Sequence, residues 1–275
     1  MDTVIGLGSA GCSIADEFAK YPQYDVYKID VGLKGENCYD IPKQSNPENY
    51  ERNCPDLGTF FDPITGDILF ILAGGGRISG ATLAVLKQLK NCNINVLYIK
   101  PNKQDLTPSG VLQERLTFNV LQQYARSGLL NTIYLVQNSN IENIIGDVPI
   151  LQYTKKINEF IVSTIHYINI FKNTKAVINN SVDPDEISRI ATFGIHNVQE
   201  NTEQHFFDFK NERYKLYFFA YPEDVLNKDT SILKNIREVL AGNSAQSSYQ
   251  IHTTKHDKPF CYFVSFSNVI QSLDN

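Results

Sequence analysis

No run of 18 consecutive apolar residues occurs anywhere in the chain, so no membrane-spanning helix is expected. The start, MDTVIGLG, runs straight into a predicted strand, so no signal peptide is expected either. An excess of positive charge is also missing. The formal net charge is −5, and nucleic-acid phosphates call for a basic face, so no nucleic-acid partner is expected. Cysteine pairs at C-x-x-C spacing are absent. The five cysteines, at 12, 38, 54, 92 and 261, are scattered and read as reduced thiols in a cytoplasmic setting. Five histidines (166, 196, 205, 252 and 256) lack a paired nucleophile or a metal spacing and read as structural. Internal repeats and a low-complexity tail are missing too. Tryptophan is absent, which carries no functional weight. What remains is 42% apolar and 20% charged residues over 275 positions, enough for a sizeable core in one large domain or two small ones.

The informative features are two glycine-rich turns, each between a predicted strand and a predicted helix. The first is Gly6-Leu7-Gly8-Ser9-Ala10-Gly11-Cys12, after the apolar run from Thr3. The second is Gly74-Gly75-Gly76-Arg77-Ile78-Ser79-Gly80, after the apolar run Asp67–Leu72. A strand that ends in glycines and turns into a helix makes an anion cradle. Its backbone N–H groups approach phosphate oxygens unobstructed, and the helix dipole favours negative charge. Two such turns on adjacent strands imply a di- or triphosphate held from both sides.

Strands are predicted at 3–7, 25–29, 67–72, 95–99 and 132–136. They alternate with helices over 10–20, from Pro47 with Asn46 as cap, over Gly80–Lys90, along the stripe Leu112, Leu116, Val120, Leu121 and Tyr124, and briefly at 141–145. This alternation predicts an α/β fold with a doubly wound parallel sheet, whose ligands gather at the carboxyl ends of the strands. From Pro149 to Phe171 a single helical pattern is apolar on more than one side, including Ile150 and Leu151, as in a helix lying between two subdomains. Beyond it come a loop at 172–182, a short helix from Pro184, strands near 214–220, 249–253 and 260–266, and a helix near 231–240. The predicted organisation is a nucleotide-binding domain at 1–148, a linking helix at 149–171 and a smaller α+β domain at 172–275.

In this order the motifs resemble the tubulin and FtsZ family, in a compact, divergent form of bacterial or phage type. GLGSAGCS resembles the family's first nucleotide loop, and Asp30 falls where the family places an acidic residue. Asn46-Pro47-Glu48 resembles the opening of its second helix. DILFILAGGGRISGATLAVLKQL resembles its glycine signature with the flanking strand and helix, and IKPN at 99–102 its strand ending in Lys-Pro. Asn158-Glu159 stands where tubulins carry Asn-Glu on the central helix. Ser181-Val182-Asp183-Pro184-Asp185-Glu186 resembles the acidic loop of the second domain.

The resemblance implies GTP or GDP as cofactor, with Mg2+ as a candidate companion, and head-to-tail self-assembly into filaments. It implies that Gly8, Ser9, Ala10, Gly11 and Cys12 lie along the phosphates and that Gly74, Gly75, Gly76, Arg77, Ser79 and Gly80 face them. Asp30 is the acidic residue nearby, and Asn158 would present its amide to guanine. Asp183 and Glu186 would act in trans on the next subunit's nucleotide, orienting the attacking water.

The sequence also departs from the family. Arg77 replaces a Thr and Ile78 the central Gly of the second turn, and the segment before it is a few residues short. Lys43-Gln44-Ser45 stands where a glycine-rich turn is expected, and Ser181 replaces an Asn. Bulk at position 78 restricts positive φ and narrows the cradle. Hydrolysis is therefore expected to be slow or impaired, with a non-hydrolysing accessory protein as the alternative. Asp-Pro is also an ordinary helix start, whose acids simply complement the dipole. A further alternative is an NAD-dependent oxidoreductase, since Gly6-x-Gly8-x-x-Gly11 with Asp30 about 20 residues on fits a dinucleotide fingerprint.

Overall fold

A computed structural model describes residues 2–89 and 91–272. Met1, Lys90 and residues 273–275, which end the predicted domains and the predicted helix behind the second glycine turn, lie outside the described residues. The chain forms two compact units, Met1–Val162 and Ser163–Asn275.

The first unit is built on strands β1 (Thr3–Leu7), β2 (Asp25–Asp30), β3 (Cys38–Asp40), β4 (Asp67–Ala73), β5 (Asn93–Lys100) and β6 (Thr132–Gln137). They lie in the order β3-β2-β1-β4-β5-β6, every pair parallel. Helices α1 (Gly8–Phe18), α2 (Pro47–Arg52), α3 (Gly58–Phe61), α4 (Thr82–Leu86), α5 (Pro108–Arg126) and α6 (Asn138–Ile145) connect them. Continuous apolar runs such as Ile68–Leu72 and Val96–Leu97 are buried, as parallel strands covered on both faces require. Asn46 caps α2 as its sequence predicts, accepting from the Asn49 N–H at 2.8 Å with Pro47 at the first helical position.

Helix α7 (Tyr153–Asn173) follows, and the boundary between the units falls inside it. The second unit holds β7 (Ile178–Asn180), β8 (Ile190–Asn197), β9 (Thr202–His205), β10 (Tyr214–Pro222), α8 (Glu223–Lys228), α9 (Ile232–Ala241), β11 (Gln246–Thr254) and β12 (Phe260–Ser267). Its sheet runs β8-β12-β10-β11-β7, with β9 on β8; only the β10–β11 pair is parallel. Tyr217, Phe219, Ile232, Ile236, Tyr249, Ile251 and Phe263 form a core between this sheet and α8–α9.

Several local expectations are corrected. The buried face of α5 is Gly110, Glu114, Thr117, Phe118, Leu121, Gln122 and Ala125, while Leu112 and Leu116 are 60% and 54% exposed. The inward face carries Phe118, Leu121 and Ala125 together with Glu114, which is buried against Lys100 of β5 at 2.7 Å. No helix starts at Pro184. Residues 186–187 form a turn closed by the Ser188 N–H donating to the Asp185 carbonyl. The helix expected from Gly80 is broken into a 3-10 turn at Arg77–Ala81, α4, and another 3-10 turn at Lys87–Leu89. Ile150 and Leu151 precede α7 in a 3-10 turn and are exposed.

Candidate functional site

The strand order reverses between β1 and β4: β2 and β3 lie to one side of β1, and β5 and β6 to the other side of β4. At such a switch point the two connections leave in opposite directions and open a crevice at the carboxyl ends of the strands. Leu7 pairs with Leu72, so both glycine turns leave neighbouring strands at the same level. Their proximity is direct. A Cβ placed on Gly8 would lie 2.6 Å from Cγ2 of Ile78.

Helix α1 begins at Gly8, whose φ of 71° is the left-handed conformation that glycine tolerates. No side chain caps this N-terminus, and its first turn holds no acidic residue. Ser9 and Ala10 are exposed beside it, and Gly11 is buried where the helix packs on β4. The Ser9 hydroxyl donates to Asp30 Oδ2 at 2.9 Å, while Asp30 Oδ1 accepts from the Val31 N–H. Asp30 therefore stands at the rim of α1. The Cys12 thiol is turned away, directed at the carbonyls of Gly6 and Ile29. Burial, then the nearby Asp30 charge, push its pKa up to about 12, so it remains a neutral thiol.

In the second turn, Gly74 packs beneath against the Tyr98 hydroxyl and Glu114, and Gly75 against Leu106. The Ser79 hydroxyl is engaged within the turn. It donates to the Gly76 carbonyl at 2.6 Å and accepts from Gln113 Nε2 at 3.3 Å. Gly80 rests on the backbone of Pro47 at the start of α2. Gly76 and Arg77 are the exposed residues of the turn. Asn158 on α7 is buried, and its amide donates to Ser13 Oγ on α1 at 2.9 Å. The first unit thus gathers residues 8–12, Asp30, the second turn and Asn158 around α1 and the β1–β4 crevice. Sequence reasoning missed Ser13, Gln113 and the Tyr98–Glu114–Lys100 cluster. Only the buried charge pattern of Lys100 and Glu114 could have hinted at the last.

Asp183 and Glu186 lie in the second unit, exposed, and neither carboxylate has a hydrogen-bond or ion-pair partner among the described residues. Asp185 between them is taken by Arg213 at 3.0 Å.

No family model matches the sequence, and no curated protein matches it. Solved structures do match. The GTPγS-form protofilament of TubZ from Bacillus thuringiensis serovar israelensis superposes with a TM-score of 0.76 at 17% identity, over 98% of this chain and 89% of that one. CetZ2 from Haloferax volcanii, a GTPγS-bound protofilament, gives 0.73 at 16% identity over 99% and 95%. The FtsZ dimer of M. jannaschii gives 0.71 at 14% identity over 96% and 87%. The fold is that of the tubulin and FtsZ family. These matches lend no support to an NAD-dependent oxidoreductase. Among the described residues, no helix is long and apolar enough to cross a membrane.

Proposed function

We propose that this tubulin-fold chain binds a guanine nucleotide across its two glycine turns and stacks head to tail into filaments, with slow or impaired GTP hydrolysis. One observation carries the reading: both turns leave β1 and β4 side by side at the switch point, next to an α1 N-terminus without a side-chain cap. Uncapped N–H groups and the positive end of the helix dipole suit an anion. The backbone of residues 8–12 would hold the phosphates, Ser9 and Asp30 would flank them, and Asn158 would offer its amide to the base. Residues 1–148 form the nucleotide-binding domain in this reading, 149–171 the linking helix, and 172–275 the domain that bears the acids. Bound Mg2+ would neutralise phosphate charge.

Asp183 and Glu186 support action in trans, because their carboxylates are exposed and unpaired while Asp185 is occupied. Two such acids can orient a water, and positioning with charge stabilisation makes up most of phosphoryl-transfer catalysis. A subunit contact that does not close on itself extends into an open filament. TubZ and CetZ2 in their GTPγS forms are protofilaments, which favours self-assembly of this chain too. Light scattering and electron microscopy with GTP, GDP and a non-hydrolysable analogue test the proposal. Filaments should depend on the nucleotide; monomers under all three conditions would refute it.

The Ile78 contact on Gly8 favours a second reading, a non-hydrolysing accessory protein with the same fold. Phosphate release by the wild type and by Glu186→Ala separates the two. Equal rates would remove Glu186 from catalysis.

A further inference from the structure

In the resemblance drawn from the sequence Ile78 takes the place of a glycine, and its Cγ2 lies 2.6 Å from where a Cβ on Gly8, the first residue of α1, would sit. The rest of its turn is braced from behind. Ser79 is tied to Gly76 and Gln113, the Thr82 hydroxyl donates to the Ser79 carbonyl at 2.7 Å, and Gly80 abuts the Pro47 backbone. A side chain on a braced turn does not swing aside freely. A pocket of about 240 Å3 lies next to the turn, between it, α2 and α5, and gives the turn room to shift. Ser79, Gly80 and Thr82 line one side of it, and Gln113, Leu116 and Thr117 of α5 the other.

We propose that Ile78 is the specificity-determining stopper of the phosphate hollow: its Cγ2 methyl closes Gly8, and each polyphosphate must push the 77–81 turn back to bind. The inference rests on the nucleotide reading above and adds what sets its affinity. An apolar methyl on a backbone cradle offers an anion no hydrogen bond and keeps oxygen atoms at a distance, so it weakens binding in proportion to the phosphates engaged. A nucleoside without phosphates is indifferent to it. Arg77, exposed one position earlier, supplies the remaining positive charge at the mouth.

The test is titration of the full chain with guanosine, GMP, GDP and GTP by calorimetry, using the wild type, Ile78→Ala, Ile78→Gly and Ile78→Val. Thermal melts confirm that each variant is folded. Freeing one charge-assisted backbone hydrogen bond should tighten GDP and GTP binding about tenfold or more in Ile78→Ala and Ile78→Gly. Guanosine affinity should stay unchanged. Ile78→Val keeps Cγ2 and should bind as the wild type does. Folded Ile78→Ala that binds GTP no tighter than a GTP-binding wild type overturns the stopper and leaves the nucleotide reading standing. If the wild type and all three variants bind none of the four compounds, the nucleotide reading itself fails. Binding by the alanine and glycine variants alone would be the strongest support for the stopper.

Discussion

Replacing Lys100 by Met tests the interior beneath the second glycine turn. Lys100 Nζ lies 2.7 Å from Glu114 Oε1, and the two side chains are 5% and 4% exposed. The Tyr98 hydroxyl donates to the same carboxylate at 3.1 Å, and its pKa is raised by burial and by the Glu114 charge, so it stays a donor. Lys100 also lies 4.3 Å from the centre of the Phe118 ring. Lys100→Met keeps much of the stem's volume but leaves a buried carboxylate with one neutral donor. Breaking a buried pair from one side costs about 3–5 kcal/mol, whereas replacing both partners by apolar groups is often neutral. The Tyr98 hydroxyl would still reach the Glu114 backbone carbonyl, 3.3 Å away, when residue 114 is apolar. Lys100→Met/Glu114→Leu should therefore recover most of the loss. In urea, with a slope of about 2 kcal/mol per molar, the single variant should shift the midpoint of the first unit by about 1.5–2.5 M. A single-variant midpoint within about 0.3 M of the wild type, or a double variant as weak as the single, would refute the account.

Glu212 accepts from His205, and Lys215 lies 2.9 Å away; burial alone would raise its pKa, but these partners bring it down to about 2. Its contribution, about 3 kcal/mol, is therefore complete above the ordinary carboxylate range near pH 4.5. It fades as pH falls toward 2, so Glu212→Gln should flatten the acid limb of a stability–pH curve. Gly194→Ala would drive its Cβ into the buried Phe263 ring and should cost about 1–3 kcal/mol in urea unfolding, with partial relief in Gly194→Ala/Phe263→Leu. Peptide mapping after iodoacetamide at pH 8 should find half-buried Cys38 modified and Cys12 untouched until the protein unfolds. Asn158→Ala breaks the hydrogen bond to Ser13 and should weaken GTP binding about tenfold with little change for inorganic triphosphate.

The sequence revealed those elements whose stability comes from a continuous apolar run or a clear helical stripe. Strands β1, β4, β5 and β6 were legible for that reason, and with them the parallel sheet and both glycine turns. Strands β3, β7 and β9 are short edge segments reading Cys38-Tyr39-Asp40, Ile178-Asn179-Asn180 and Thr202-Glu203-Gln204-His205. They have no periodicity of their own and exist through their neighbours, as in the register of His196 with Glu203. The face of α5 misled because Leu112 and Leu116 suggest one side, whereas Phe118, Leu121 and Ala125, with Glu114 paired to Lys100, lie on the side that turns inward. At the candidate site, motif order pointed to Asn158 and the glycines, whose part in nucleotide binding is the proposal made above. Their partners Ser13 and Gln113 could not be read, since a hydroxyl or amide in a helix carries no signature until its neighbour is known.

The positions at which the sequence departs from the pattern it resembles lie along one line of contacts. Lys43-Gln44-Ser45 stands where the resemblance calls for a glycine-rich turn, and two of these side chains hold α2 and its C-terminal cap: Ser45 Oγ accepts from the Asn49 amide at 3.1 Å and Gln44 Oε1 from the Asn53 amide at 3.3 Å. Glycines could make neither bond. Helix α2, so tied, presents the Pro47 backbone to Gly80, and Gly80 belongs to the turn that sets Ile78 on Gly8. Residues 43–45 are therefore connected to the 77–81 turn through one short line of contacts. In the first glycine turn, by contrast, Gly6 and Gly11 pack closely against backbone, and Gly8 meets the Ile78 side chain.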